Sequence, residues 1–199
     1  MQLFPCFLHL LVTPFYFCRY KAFTMKKILP VFVITLLVGN IVFAQNQYEV
    51  LVERPNEKSY KGLITKEILQ ADTSFKWYAQ NLIGYTPNKI AVDGLQQHKD
   101  SLQLLVFMGT WCEDSQFIIP KLFSLTEAAG FPAERITLLG VDRKKKSFGS
   151  LSLALNITNV PTIIVLKLGK ELGRVVEYGK YGVFDKELGE IISTAFPVQ

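Results

Sequence analysis

LQLLVFMGTWCEDS, residues 102–115, is the stretch in which the pattern of the chain changes most sharply. Leu102–Met108 is a short, nearly continuous apolar run, typical of a strand that is covered on both faces of a sheet. Gly109 breaks the run, and apolar residues then recur on one helical face: Phe117, Ile118, Leu122, Leu125 and Ala129. We therefore predict a strand and a helix, the latter over residues 113–129, that meet at Cys112.

The segments that follow predict an α/β fold. A second apolar run, residues 136–141, completes a strand–helix–strand unit, whose two strands pair in parallel. Further along, we predict a strand over residues 162–168 and, after a tight turn, a strand over residues 172–178. A short helix over residues 151–155 and a closing helix over residues 185–195 complete the expected core.

Residues 45–100 are predicted to form a helical extension before this core, which spans residues 101–199. The lead-in of the extension, residues 45–61, is polar and predicted to be extended. Apolar residues spaced by about 3.6 predict a mainly helical segment over residues 63–83, split near Asp72 because Asp favours helix caps. One further turn of helix is predicted over residues 95–99.

Met25 opens the sequence MKKILPVFVITLLVGNIVFA, residues 25–44, which has the form of a secretory signal peptide. Two lysines precede an apolar run, and Ala44 ends the segment with a small residue suited to cleavage. The run of sixteen residues, 28–43, is shorter than the roughly 20 that a transmembrane helix needs. We expect cleavage, no stable membrane insertion afterwards, and export to the periplasm or envelope of a bacterium or, in another organism, secretion.

Residues 1–24 precede this complete signal and lack a charged start. We interpret them as a wrongly assigned upstream start, with a genuine extension as the alternative. Residues 1–44 carry four of the 22 Lys and Arg of the chain and none of its 17 Asp and Glu. The rest is close to neutral, so nucleic acid is not an expected partner.

Beyond residue 44 the chain keeps one cysteine, Cys112, and one histidine, His98. It can form no internal disulfide, and a single exposed thiol is unusual in an oxidising compartment. One Cys and one His are too few for an ordinary metal site, so no metal or other cofactor is expected. An inert, buried Cys112 is the plainest alternative to a reactive one.

The ordered set of Trp111-Cys112 at a strand–helix junction, Pro120 within the helix and Val160-Pro161-Thr162 before a later strand resembles the thioredoxin superfamily. The resemblance covers residues 102–195. It implies a central mixed sheet flanked by helices, with Cys112 as the redox nucleophile. It also implies a cis peptide bond at Pro161, and a substrate groove shaped by Trp111, Val160 and Pro161.

Two departures from that family bear on activity. Cys112-Glu113-Asp114-Ser115 has a serine where thioredoxins have the resolving cysteine, and Val106 stands where many of them bury an aspartate. Both departures disfavour a freely cycling dithiol reductase. Attack on a disulfide followed by rescue with an external thiol remains possible.

The sequence therefore predicts monothiol thiol–disulfide exchange through Cys112, with Ser115 hydrogen-bonded to the sulfur. The substrates would be protein or small-thiol disulfides, and the second reactant an unidentified external thiol donor. The alternative, from another functional class, is a redox-inactive binding or chaperone-like module that keeps the groove. Solvent access of Cys112 discriminates between the two hypotheses.

Overall fold

A computed structural model describes residues 47–55 and 57–197. The segments 1–24 and 25–44, which carry the predictions on translation start and signal peptide, lie outside the described residues. Within the described part, six strands form one sheet: β1 (Tyr48–Arg54), β2 (Glu57–Ile64), β3 (Leu102–Met108), β4 (Ile136–Gly140), β5 (Thr162–Lys167) and β6 (Lys170–Val176).

Six α-helices accompany these strands in the described residues. They are α1 (Lys66–Ala71), α2 (Trp77–Gln80), α3 (Lys89–His98), α4 (Glu113–Ala128), α5 (Leu151–Ala154) and α6 (Phe184–Ala195). None of them is long and apolar enough to cross a membrane.

The sheet has the order β1-β2-β4-β3-β5-β6. Only β3 and β4 pair in parallel, joined through α4, and the other neighbours are antiparallel. The predicted fold class is confirmed: a thioredoxin-like mixed sheet flanked by helices, with β3 at its centre. From β3 onward, every predicted strand and helix is present, with ends shifted by no more than two residues.

Side chains of β3 alternate between two apolar clusters, which explains the continuous apolar run in its sequence. Leu104, Val106 and Met108 belong to the larger cluster, in which α4 and α6 cover the sheet. Phe107 belongs to the smaller cluster on the opposite face, with Leu139, Val141, Ile157, Val160 and Ile164. The end of β3, where Cys112 follows, is therefore fixed by packing on both sides.

The predicted extended lead-in, residues 45–61, contains β1 and most of β2, which form a hairpin, whereas the predicted helix over residues 63–83 is wrong at its start. Leu63 and Ile64, taken as the start of a helix, end β2 and pair with Leu139 and Leu138 of β4. Helical spacing from Leu63 onward was accidental, because it ran across the boundary between a strand and α1. Sheet pairing, a tertiary contact, overrides such a local signal. Gly140 permits this pairing, since a Cβ there would collide with the carbonyl oxygen of Tyr60.

The helical part of the extension is confirmed in a different arrangement. The predicted break near Asp72 separates α1 from α2. Helix α3 is longer than the single turn expected, and it begins after Asn88, whose side chain accepts hydrogen bonds from the amides of Ile90 and Ala91. An N-cap of this kind satisfies amide groups that the first helical turn leaves free.

Candidate functional site

Cys112 is the N-cap residue of α4, at the point where the chain leaves β3. Its amide donates to the carbonyl of Gly109 (2.9 Å), and its carbonyl accepts from the amide of Gln116 (2.9 Å). The residue is partly exposed. A thiolate at this place would be stabilised by the free amides and the dipole at the start of the helix.

The sulfur faces the loop that precedes β5. Cys112 Sγ donates a hydrogen bond to the backbone carbonyl of Val160 (3.2 Å). The Val160–Pro161 peptide bond is cis, and the Pro161 carbonyl accepts from the amide of Glu177 (2.7 Å). The structure thus brings together three residues that the sequence analysis took from distant segments: Cys112, Val160 and Pro161.

Trp111 forms a wall beside the sulfur. Its indole Nε1 donates to the carbonyl of Val141 (2.9 Å), and its ring lies close to the backbone of Gly109, where a Cβ would be 2.6 Å from a ring carbon. The guanidinium of Arg143 lies over the ring, 4.9 Å from the centroid, and pairs with Glu57 across 2.5 Å. The indole is therefore held from three sides.

Ser115 does not make the predicted hydrogen bond with the sulfur. It is fully buried, and its Oγ accepts from the amide of Gly109 (3.1 Å). The turn of α4 directs the side chain of residue 115 toward the core, where its hydroxyl binds the Gly109 amide after β3 and not the sulfur of Cys112. Val106, at the position of the family's acid, is also fully buried, which leaves the region beneath the site apolar.

Tyr178 is a neighbour that the sequence analysis missed. Burial raises the pKa of its phenol, and the charges of Asp114, Cys112 and Glu113 raise it further, together with a hydrogen bond to Asp114. The ring also packs against Phe117 of α4 (5.7 Å between centroids). Tyr178 is therefore a neutral hydroxyl beside the start of α4.

Arg143, in the loop after β4, is a second neighbour of the site that the sequence analysis missed. No local sequence pattern identifies either residue, because β6 and the loop after β4 approach Cys112 only in the folded sheet. His98 does not belong to the site. Its ring stacks on Phe196 (3.7 Å between centroids), and in the described part of the chain the sulfur of Cys112 is hydrogen-bonded to Val160 and not to His98.

The loop between β3 and α4 is anchored to the neighbouring strand. Thr110 Oγ1 accepts from the amide of Tyr60 (3.0 Å) and donates to the carbonyl of Lys58 (3.0 Å), both in β2. Gln116 Nε2 donates to the carbonyl of Thr110 (2.8 Å). Strand β2 thus holds the loop that carries Trp111 and Cys112 through the two hydrogen bonds of Thr110. In the described part of the chain, no cluster of three or more His, Cys, Asp or Glu could hold a metal ion.

No protein-family model matches this chain, and no curated protein matches it. Among solved structures, it is similar to a Pseudomonas aeruginosa protein of unknown function, with 19% identity, a TM-score of 0.47, and coverage of 65% of this chain and 90% of the other. Chlamydomonas reinhardtii thioredoxin f2 shows 21% identity and a TM-score of 0.39, covering 53% and 88%. A reduced Schistosoma mansoni thioredoxin pre-protein shows 25% identity and a TM-score of 0.36, covering 55% and 93%.

These likenesses are distant. The thioredoxin-like description of the fold depends on features of this chain itself: the strand order, Cys112 at the start of α4, and the cis peptide bond before Pro161.

Proposed function

We propose that this protein performs monothiol thiol–disulfide exchange with Cys112 as the nucleophile, outside the compartment in which it is made. One observation carries the proposal: a partly exposed sulfur at the start of α4 lies 3.2 Å from the Val160 carbonyl, beside the cis bond to Pro161. An inert core thiol needs neither solvent access nor a helix start.

The chemistry takes two steps. The Cys112 thiolate attacks one sulfur of a substrate disulfide, so that a mixed disulfide forms and the other substrate sulfur leaves as a thiolate. An external thiol, small or protein-borne, then attacks the substrate sulfur of the mixed disulfide, and Cys112 leaves as the thiolate. Both steps at Cys112 are then complete, and the substrate sulfur is joined to the external thiol in a new mixed disulfide. A second external thiol attacks the sulfur of the first, so that the substrate sulfur leaves as a thiolate, the two external thiols form a disulfide, and Cys112 has returned unchanged.

The residues around Cys112 support this monothiol course. Ser115 has no sulfur with which to attack the mixed disulfide, and buried Val106 cannot accept a proton from a resolving thiol. The first step needs neither group. Release of the substrate therefore depends on the external thiol.

The groove would bind an extended polypeptide or a small disulfide between Trp111 and the Val160–Pro161 loop. In the free protein, the Cys112 thiol donates to the Val160 carbonyl, so this carbonyl is already directed at the sulfur. Loss of the proton frees the carbonyl to accept from a substrate amide, as paired strands do. The indole, fixed by Val141 and Arg143, supplies an apolar wall.

Export is the second element of the proposal and depends on residues 25–44 alone. Lys26, Lys27, the apolar run and Ala44 have the order of a signal peptide, and cleavage would leave Gln45 as the first residue. An exported single thiol meets small disulfides and folding proteins, which are the substrates that this exchange requires.

A turnover assay tests the exchange. Wild type and Cys112→Ser are compared in the reduction of a protein disulfide, with and without added glutathione. We expect wild type alone to stop at a mixed disulfide, with at most one substrate per chain, turnover once the external thiol is added, and no turnover above the glutathione background for Cys112→Ser. Turnover by Cys112→Ser equal to that of wild type contradicts the nucleophile assignment. Binding of a reduced, unfolded client without any turnover favours the redox-inactive binding module.

A further inference from the structure

A cavity lies along α4, and its lining does not include the thiol-site residues Cys112, Val160 and Pro161. Its volume is about 570 Å³, within the usual range for small-molecule sites. The walls come from three regions: the loop between α2 and α3, the outer face of α4, and the start of α6. Its lining includes Ile83, Tyr85, Phe117, Lys121, Val183 and Asp185.

Lys121 is the unusual member of this lining, because its side chain is charged and the residue is only 7% exposed. Its ammonium lies over the ring of Phe117, 2.8 Å from the centroid. Among residues 47–55 and 57–197, no carboxylate is within ion-pair distance of Lys121 Nζ. Burial lowers the pKa of this lysine. The alkyl chain of Lys121 is therefore buried, while its ammonium keeps access to solvent at the cavity and has no anionic partner among the described residues.

The start of α6 adds no unmet positive charge to this cavity. Val183 is the N-cap residue of this twelve-residue helix and makes no side-chain hydrogen bond to the first turn, but the first turn carries Asp185 and Glu187. Carboxylates in the first turn offset the free amides and the dipole of a helix start. Lys121 is therefore the group in the lining that favours an anion.

Asp185 is the one acidic side chain in the lining, and its charge is already met by donors. Its Oδ2 accepts from the Tyr85 hydroxyl (2.7 Å) and from the amide of Asn88 (2.9 Å). Asp185 makes no ion pair with Lys121. The Asp185 carboxylate therefore joins the loop before α3 to α6 through these hydrogen bonds, and it does not pair with the ammonium of Lys121.

The rest of the lining is apolar and reachable from solvent. Phe117 is 41% exposed, Val183 49% and Ile83 83%. Exposed apolar side chains around a cavity are typical of ligand sites, where the ligand body covers them. A ligand that fits must therefore carry both an apolar part and one negative charge.

We propose that this cavity binds a carboxylate attached to an apolar group, with the carboxylate on Lys121 and the apolar group against Phe117 and Val183. A free organic acid and the carboxyl end of a peptide share this chemistry. The carboxylate gives Lys121 a counter-ion that residues 47–55 and 57–197 do not supply there. The site is independent of the sulfur chemistry, so failure of either proposal leaves the other intact.

The test measures binding of 3-phenylpropanoate and of its neutral amide to protein produced from the full chain, by calorimetry. We expect the carboxylate to bind about tenfold more tightly or better, which is the effect of one charge-assisted hydrogen bond. In Lys121→Met, the two ligands should bind equally. Lys186→Met is the matched control: its ammonium lies over Tyr181 (4.2 Å), outside the cavity lining, and the tenfold preference should persist.

A second measurement needs no variant. The Nζ resonance of Lys121 in wild type should shift on addition of 3-phenylpropanoate and not of its amide. A peptide that ends in phenylalanine, free or amidated at its carboxyl end, identifies the source: tighter binding of the free peptide than of 3-phenylpropanoate indicates a peptide end. No binding of either carboxylate at millimolar concentration, or a preference that survives in Lys121→Met, overturns the proposal.

Discussion

At the scale of single residues, Ser115 determines how the proposed exchange would end. It lies one helical turn after Cys112 and is buried, with its hydroxyl on the Gly109 amide. Any mixed disulfide at Cys112 therefore faces a hydroxyl where thioredoxins present a thiol.

Ser115→Cys should restore internal resolution. A well-oriented intramolecular thiol can act at an effective concentration of about 10⁵ M, far above that of any external thiol. We expect faster reduction of a protein disulfide and fewer trapped adducts than in wild type, even though Val106 provides no proton acceptor. Rate and adduct are followed together. Ser115→Ala is the control, since it removes the same hydroxyl without adding sulfur, and it should not accelerate turnover. An internal disulfide in Ser115→Cys that never exchanges with substrate contradicts an open groove.

The residue scale also shows what sequence reasoning could reach. Cys112 and the Val160–Pro161 loop, which the sequence analysis selected together, lie side by side, because a strand–helix junction and a proline before a strand are local patterns; their roles stay a prediction. Tyr178 and Arg143 could not be found this way, since only the packing of β6 and of the loop after β4 brings them near α4. The hydrogen bond predicted between Ser115 and the sulfur was wrong, because the Ser115 hydroxyl accepts from the amide of Gly109.

At the scale of elements, β2 supports the site through Thr110. The hydroxyl links the Tyr60 amide and the Lys58 carbonyl in a buried setting. Thr110→Val keeps the shape and leaves both backbone groups unpaired, which costs about 1–3 kcal/mol in the free energy of unfolding. Thr137→Val is the matched control on β4, where the side chain is exposed, and should change stability by under about 0.5 kcal/mol. Urea unfolding measures both. Equal effects contradict the anchoring role.

A second element-scale contact joins the end of α1 to β2. Asp72 accepts hydrogen bonds from the Tyr60 hydroxyl (2.6 Å), the Ser74 amide (2.9 Å) and Lys58 Nζ (3.0 Å). Burial tends to raise the pKa of this carboxyl, but the hydrogen bonds from Ser74, Tyr60 and Lys58 outweigh burial and hold it well below its usual range. The charged form is therefore the one that stabilises the fold.

The lowered pKa of Asp72 predicts that the stability of the fold depends on pH. Because the pKa is lower in the folded than in the unfolded chain (about 3.9 for a free Asp), Asp72 stabilises above about pH 4, and the contribution is lost as the pH falls further. Asp72→Asn should cost about 1–3 kcal/mol at pH 7 and progressively less below pH 4. Asp93→Asn, which removes an exposed partner of Lys89, should cost at most about 0.5 kcal/mol. A cost of Asp72→Asn that is constant from pH 7 to pH 3 contradicts the assignment.

The elements also show why part of the fold was missed. From β3 onward, each strand and helix has a distinct apolar period and clear breaks, and prediction succeeded. The start of the predicted helix over residues 63–83 was wrong because Leu63 and Ile64 end β2 directly before α1, so that the two elements together have the apolar spacing of one helix. Only the register with β4 distinguishes the two possibilities, and this register lies more than 70 residues away in the chain.

At the scale of the whole molecule, the proposed export predicts processing after Ala44. Protein recovered after export should have the intact mass of the chain that begins at Gln45, because the segment before it ends in a small residue suited to signal peptidase. Substitution of Ala44 by a bulky residue should block cleavage and retain the longer species. Lys58→Gln, in β2, is the control and should leave the mass of the processing product unaffected apart from the substitution itself. A mature species that keeps residues 28–43 indicates an anchor in place of a signal.

The central claim is that the one cysteine after residue 44 is a working nucleophile. Native protein is mixed with oxidised glutathione, and its intact mass is followed before and after addition of dithiothreitol. We predict one glutathione per chain, attached at Cys112, formed without unfolding, stable until the dithiol is added and then fully released. Cys112→Ser should remain unmodified under the same conditions. If Cys112 in wild type is modified only after the protein is unfolded, the sulfur is inert in the native fold, and the account of its function is contradicted.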